Sequence, residues 1–465
     1  MTPVDVLDDD ALLAVFDFCV ADDGNQGTKR AVGARQSWQS LVHVCERWRC
    51  VVFGSPRRLN LRLVCTLDTP VRKRLDIWPD FPLIVQGTIS FTSVDNIIAA
   101  LEHRDRVCQI DLRIIGDAQW EKVLEAMRVP FPALTDLHLR NEKYFSPLVI
   151  PDSFLGGSAP NLRSLKTACI PFPGIPNLAL FATHLVRLDF SDGPFSNYIQ
   201  FEAMATCLSA MTNLNTLSFS FEYSRSLRRP PPITQSRSIL PSLTTFRLKG
   251  VSECLDALVA QIDAPRLDHL FITFLDQMNF DTPHLVQFIS RTPKFQDPDQ
   301  AHVTLDLDAD VQLQWTSDDS RELRVKISYE GLATDPQPFS MGQVCTVCFP
   351  PLHTVENLRI KFVENISEFD WSAPIENDQW LELLRPFSVV KNIHLSEESA
   401  PRIADALQEL IGSRITEVLP GLQNIFVEGS EPWGTLLENI GQFVTARHLS
   451  GHPIAISACH NRTSN

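Results

Sequence analysis

An apolar hexad, Leu-x-x-Leu-x-Leu in its plainest form, recurs along this chain and constrains its fold more than any other feature. It reads Leu134-x-x-Leu137-x-Leu139, Leu162-x-x-Leu165, Leu185-x-x-Leu188-x-Phe190, Leu214-x-x-Leu217-x-Phe219, Leu243-x-x-Phe246-x-Leu248 and Leu267-x-x-Leu270-x-Ile272. A first copy, Val107-x-x-Ile110-x-Leu112, precedes these. Val355-x-x-Leu358-x-Ile360, Val390-x-x-Ile393-x-Leu395 and Leu422-x-x-Ile425-x-Val427 follow them. The last two apolar positions alternate, so on a short strand both point inward. The first anchors the turn leading into that strand. Pro132, Pro160, Pro241, Pro265 and Pro420 stand two residues before it, where they stop a preceding helix. One such unit cannot bury its own apolar face; stacked neighbours can.

From Leu134 to Leu267 the steps are 28, 23, 29, 29 and 24 residues, the period range of leucine-rich repeats. Apolar residues at helical spacing fill the intervals: Ile97, Ile98 and Leu101; Trp120, Val123, Leu124 and Met127; Leu255, Leu258 and Val259, with Ser252 as a candidate cap. The expected fold class is therefore α/β, a curved leucine-rich-repeat-like solenoid of irregular period over 106–292, resumed by C-terminal repeats over 349–450 and ended by a tail, 451–465. The asparagine that usually follows the hexad in such repeats is mostly absent, so its buried hydrogen-bond ladder is not assured. Residues 293–348 break the period and read as an insertion or as degenerate repeats forming a strand-rich patch. Residues 56–105 form an irregular strand and helix connection capping the solenoid, with a strand at Leu59, Leu61 and Leu63. Residues 228–236, rich in proline, read as a stiff surface loop rather than a polyproline ligand.

The first 55 residues are different. Leu7, Leu12, Leu13 and Phe16 can share one face of a helix over 4–20, and Trp38, Leu41, Val44, Cys45 and Trp48 one face of a second over 36–53. About fifty residues are too few for a self-sufficient core, so two helices this apolar want a partner. Downstream, Arg47, Arg49, Arg57, Arg58, Arg62, Arg72, Lys73 and Arg74 form a basic stretch opposed only by Asp68. It reads as a solvated face with helix-end charges, or else as a surface for an acidic partner.

Composition excludes several function classes. The net charge of −15 argues against general nucleic-acid binding, which needs a basic footprint. No run of 18 apolar residues suggests a membrane span, and the acidic start MTPVDVLDDD is unlike a secretory signal. Eleven cysteines in mostly apolar contexts point to buried free thiols in a reducing compartment, cytoplasm or nucleus. No phosphate-binding glycine loop, nucleophile elbow or metalloprotease helix is present. Cys345-Thr-Val-Cys348 lacks a second ligand pair and reads as two buried thiols in an extended segment. His138 and His394 fall at outward strand positions that could line a binding face. No catalytic residue, cofactor site or metal site is expected.

The N-terminal unit resembles the F-box, which typically opens L-P-x-E-[LV]-L-x-x-I-[FL] and later carries V-C-[KR]-x-W. Leu7 takes the opening leucine, Leu12, Leu13, Val15 and Phe16 the central cluster, and Val44, Cys45 and Trp48 the second signature, with Leu41 one turn before it. Asp8 stands where the family usually has proline, and the loop between the helices is longer than usual. Residues 37–72, 380–412, 416–429 and 450–457 are similar to fungal F-box-like proteins with degenerate leucine-rich repeats. The resemblance implies a small helical F-box ahead of the solenoid and a non-enzymatic substrate-recognition role. The F-box would bind a Skp-type adaptor of a cullin–RING ubiquitin ligase, and the solenoid would hold a protein target. The alternative is a repeat scaffold whose F-box is uncoupled from ubiquitination.

Overall fold

A computed structural model of the chain describes residues 7–21, 37–66, 70–115, 117–142, 150–151, 153–170, 183–192, 204, 207–221, 237–275, 277, 280–306, 308–318, 320–328, 337–363, 375–428 and 434–459. It forms two compact units, Met1–Leu185 and Val186–Asn465. The 228–236 loop lies outside the described residues.

Unit 1 runs α1 (Asp9–Ala21), α2 (Ser37–Leu41), α3 (Glu46–Gly54), β1 (Leu63–Cys65), α4 (Val71–Ile77), β2 (Leu83–Ile89), α5 (Val94–Leu101), β3 (Val107–Ile114), α6 (Asp117–Ala126), β4 (Asp136–Asn141) and β5 (Ser164–Ala168). β1 to β5 pair in parallel and in chain order. The register aligns the hexads: Ile110 with Leu137 and Leu165, Leu112 with Leu139. All five side chains are buried.

The turns that carry the recurrent prolines follow one rule. The N–H of the hexad's first residue donates three residues back: Leu134 to Phe131 O, Leu162 to Ala159 O, Leu243 to Leu240 O, Leu267 to Ala264 O and Leu422 to Leu419 O. Each recurrent proline, from Pro132 to Pro420, thus occupies the second position of a four-residue turn, which its fixed φ suits. It shapes this turn as well as stopping a helix.

Unit 2 runs β6 (Arg187–Asp192), β7 (Thr216–Phe221), β8 (Ser238–Ile239), β9 (Thr245–Gly250), α7 (Ser252–Val259), β10 (Ile262–Asp263), β11 (His269–Leu275), α8 (Pro283–Arg291), β12 (Gln300–Leu305), β13 (Ala309–Gln314), β14 (Glu322–Ser328), α9 (Gln337–Val347), β15 (Asn357–Phe362), α10 (Asn377–Leu384), β16 (Asn392–Leu395), α11 (Ser399–Gln408), β17 (Asn424–Glu428), α12 (Gly434–Leu449) and β18 (Ala455–Cys459). Its main sheet has the order β6-β7-β9-β11-β14-β13-β12-β15-β16-β17-β18. Within 293–348 the chain makes an antiparallel excursion: β13 pairs antiparallel with both β12 and β14. Two reversals leave β14 parallel to β11 and β12 parallel to β15, so the sheet's direction is restored. β18 pairs in parallel with β17 in the stretch the sequence suggests is a tail.

Four expectations need correction. The helix over 36–53 is two helices, because Cys45 is extended (φ −157°, ψ 171°) and caps α3, its Sγ accepting the Trp48 N–H at 3.5 Å. The strand at 59–63 begins only at Leu63, because Asn60 adopts φ 47° and turns the backbone. Cys345 lies in α9, not in an extended segment, since Pro350 and Pro351 come after the helix and do not interrupt it. Ser252 is the first residue of α7 rather than its cap; its N–H donates to Gln277 Oε1 at 2.8 Å.

Helices α9 and α10 approach closely at Gly342. A Cβ there would lie 2.8 Å from Glu382 O and 3.0 Å from Leu383 N, which are backbone atoms that cannot rotate aside. Gly342→Ala is expected to destabilise this helix pair by about 1–3 kcal/mol, despite alanine's helix-propensity advantage of roughly 1 kcal/mol. Hydrogen exchange of α9 and α10 in the variant checks this; unchanged protection would show that the helices can separate without cost.

Candidate functional site

Two surfaces of different chemistry stand out. The first is the helical end of unit 1. Asp8 begins it, its Oδ1 accepting the Ala11 N–H at 2.7 Å and its carbonyl the Leu12 N–H. The residue that departs from the F-box pattern thus caps α1, using a side-chain acceptor where proline would supply a preset φ. Arg47, inside the second signature, ties α3 to this start by bonding Leu7 O at 2.6 Å and Asp9 Oδ1 at 2.9 Å.

The nine residues of the apolar signature divide between inside and outside. Leu12, Leu13, Phe16 and Leu41 are buried. Trp48 is half-buried, its ring 4.8 Å from that of Phe16. Leu7, Val15, Val44 and Cys45 are exposed, Val15 at 47% and Val44 at 58%. Phe18, absent from the sequence-derived set, is among the described residues the most exposed large apolar side chain of the three helices at 85%. It lies three residues from Val15 and about 200° around the helix from Phe16. Helical spacing also marks this position, on the face opposite Phe16.

This end is not left to find its whole core elsewhere. Trp38 of α2 is buried, packs edge-on to Trp78 (5.2 Å) and Phe81 (5.5 Å), and donates from Nε1 to Arg62 O at 3.1 Å. Phe53 contacts Phe81 as well. The connection over 56–105 therefore supplies part of the missing core. The basic stretch is largely engaged internally: Arg47 with Asp9, Arg58 with Asp10 and Asp17, Arg74 with Val64 O. That favours its plainer reading over a surface for an acidic partner.

The second surface is the polar face of the unit 2 sheet. The residue between the last two apolar positions of each hexad points away from the core, and strand register places these residues in one row. Ser218 sits beside Arg247, and Arg247 beside Phe271. Phe271 neighbours Arg324, which neighbours Gln312 and then His302. His302 neighbours Arg359, followed by His394 and Phe426. The Arg247 guanidinium lies 4.8 Å from the Phe271 ring centroid, and His394 stacks on Phe426 at 4.5 Å. Burial, reinforced by the Arg359 charge, holds the imidazoles of His302 and His394 below the ordinary histidine range. Asp310 grips Arg324 with both oxygens, at 3.2 and 2.9 Å, and Glu428 lies 3.8 Å from Arg359. At the strand starts, Asn424 donates to Asn392 Oδ1 and Asn392 to Asn357 Oδ1, each at 2.8 Å. This asparagine ladder differs from the one after the hexad, since its residues immediately precede the first strand leucine or isoleucine. In unit 1, His138 faces outward and its Nδ1 pairs with Asp111 at 3.0 Å.

Cys345 and Cys348 are buried; desolvation pushes both thiols up, Cys348 to about 12, so neither is a ready thiolate. Among the described residues no group of three or more His, Cys, Asp or Glu could hold a metal ion, and no helix is long and apolar enough to cross a membrane.

No protein-family model matches the chain, and no curated protein matches it by sequence. Among solved structures, the leucine-rich repeat-containing protein LegL7 from Legionella pneumophila is similar at 11% identity, over 82% of this chain and 98% of its own, with a TM-score of 0.30. The repeat architecture described for each unit rests on its own strand register.

Proposed function

We propose that this chain is a non-catalytic protein-interaction scaffold built of leucine-rich-repeat-like units, with an F-box-like docking surface for a Skp-type adaptor at its N-terminal helical end. The observation that carries this reading is the division of the apolar signature. Leu12, Leu13 and Phe16 form a core, while Val15, Phe18 and Val44 remain exposed around it. Exposed aromatic and branched residues on a rigid helical support are what an interface anchor requires. The F-box resemblance names the adaptor. No sequence motif supplies a competing chemistry, and cofactors have no role.

Val15→Asp combined with Phe18→Asp is expected to weaken capture of a Skp-type adaptor by about 100-fold, because a buried unpaired charge costs several kcal/mol. Both positions are solvated, so the melting temperature should stay put. Full adaptor binding by the double variant would remove this surface from consideration.

In the further reading the adaptor brings a cullin–RING ubiquitin ligase, and the chain is its substrate receptor. Its contribution would be effective concentration, placing lysines of a bound target near the charged conjugating enzyme. The F-box resemblance favours it. Cullin in adaptor-dependent pull-downs, with target accumulation when the helical end is deleted, is the expected result. Adaptor without cullin would establish the uncoupled scaffold.

A further inference from the structure

We propose that the middle row of the unit 2 polar face binds an extended acidic segment of a partner protein. The inference rests on reading unit 2 as a protein-binding scaffold, and it names the chemistry of what is bound.

From Arg247 to Phe426 the row contains arginine, histidine, phenylalanine and glutamine and not one carboxylate. Acidic residues outnumber basic ones 56 to 41 in the whole chain, so the row runs against the composition. Its carboxylates stand one position to either side. Asp310 shares a strand with Gln312, Glu322 with Arg324, and Glu428 with Phe426. Asp310 orients the Arg324 guanidinium while leaving donors free, since the group has five N–H bonds and the carboxylate takes two. Arg247 lies over the Phe271 ring, so a partner's carboxylate can meet the cation while its apolar neighbour meets the ring. Such pre-oriented groups lose little freedom on binding.

The geometry also sets a spacing. Neighbouring strands lie about 4.8 Å apart, so Arg247 to Arg324 spans roughly 10 Å and Arg324 to Arg359 roughly 14 Å. A chain extended across the strands at about 3.3 Å per residue would meet them with acidic residues three and four positions apart. A nucleic-acid strand fits less well. A strand with a phosphate at every nucleotide would also set charge opposite Phe271, Gln312 and the flanking Asp310, Glu322 and Glu428, whereas a peptide can place its carboxylates at the arginines alone.

The test uses the full chain and a fluorescein-labelled peptide of about twelve residues, with glutamates at that spacing among glycine, serine and leucine. Matched probes carry glutamine in place of glutamate, or are a thymidine oligonucleotide of similar length. Fluorescence anisotropy should show binding of the glutamate peptide that weakens with salt, and binding of the glutamine peptide at least about tenfold weaker. Arg247→Glu and Arg359→Glu, both at exposed positions, should each weaken the glutamate peptide about tenfold, with Arg247→Lys closer to the parent. Circular dichroism confirms that each variant is folded. No binding of the glutamate peptide up to about 1 mM, equal binding of the glutamine peptide, indifference to both charge reversals, or tighter binding of the oligonucleotide would each overturn the proposal. Adaptor capture reads only the N-terminal surface, so failure of one test leaves the other standing.

Discussion

Phe16→Ala is expected to cost unit 1 about 3–5 kcal/mol, the range for deleting a fully buried aromatic side chain. Phe16 has no exposed surface and packs edge-on against Trp48, so its removal leaves a cavity between α1 and α3. Two residues away, Phe18→Ala should change stability by no more than about 0.5 kcal/mol, since that ring meets solvent. Hydrogen exchange of residues 37–54 distinguishes the pair: protection should collapse in the first variant and persist in the second. Equal effects would mean that the inner and outer faces of α1 have been assigned wrongly. The contrast matters for function. A charge at Leu12, Leu13 or Phe16 would abolish adaptor binding by unfolding the helices, so exposed positions such as Val15, Phe18 and Val44 are the ones that report on the docking surface itself.

The second large effect is expected at Arg447, whose side chain is wholly buried in α12. Its Nη1 donates to Ile415 O and its Nη2 to both Leu419 O and Pro420 O, each at 3.2 Å. Burial holds the guanidinium below its ordinary pKa, though an arginine stays charged at any physiological pH. Two of the carbonyls it binds, those of Leu419 and Pro420, belong to the turn that leads into β17, where Leu419 has φ 50°. That left-handed conformation costs a non-glycine residue on the order of 1–2 kcal/mol, and the guanidinium fork helps to hold it. Arg447→Ala leaves three carbonyls, two of them in buried bonds, without these donors and a cavity beside Phe443, for an expected loss of about 3–5 kcal/mol. Arg447→Lys should recover little, because an ammonium cannot reproduce the planar fork. Protection of β17 and β18 in hydrogen exchange is the measurement. A small loss in the alanine variant would show that water replaces the fork.

Much of the fold was legible because its causes are local. Alternation in Leu137-His138-Leu139 dictates a half-buried strand, and a proline two residues before Leu134 dictates the turn in front of it. The break at Cys45 was not legible, since Trp38, Leu41, Val44, Cys45 and Trp48 keep helical spacing across it. The α3 cap and the packing of Trp38 on Trp78 and Phe81 come from interactions that spacing alone does not report. The excursion of β12, β13 and β14 escaped for a related reason: its strands alternate like any others, but whether neighbours run parallel or antiparallel depends on which strands meet.

The division at the two surfaces has the same origin. The sequence by itself determined that apolar hexads must stack, that a polar residue separates the last two apolar positions in most of them, and that it holds no phosphate-binding glycine loop, nucleophile elbow or metalloprotease helix. Those are properties of short stretches, set by side-chain alternation and turn chemistry. Tertiary structure alone decided that Phe16 points in while Phe18 points out, and that Arg247, Arg324 and Arg359 share a row whose stretch from Arg247 to Phe426 holds no carboxylate. Burial and strand register arise from contacts between residues distant in the chain, and such contacts exist only once the elements have packed.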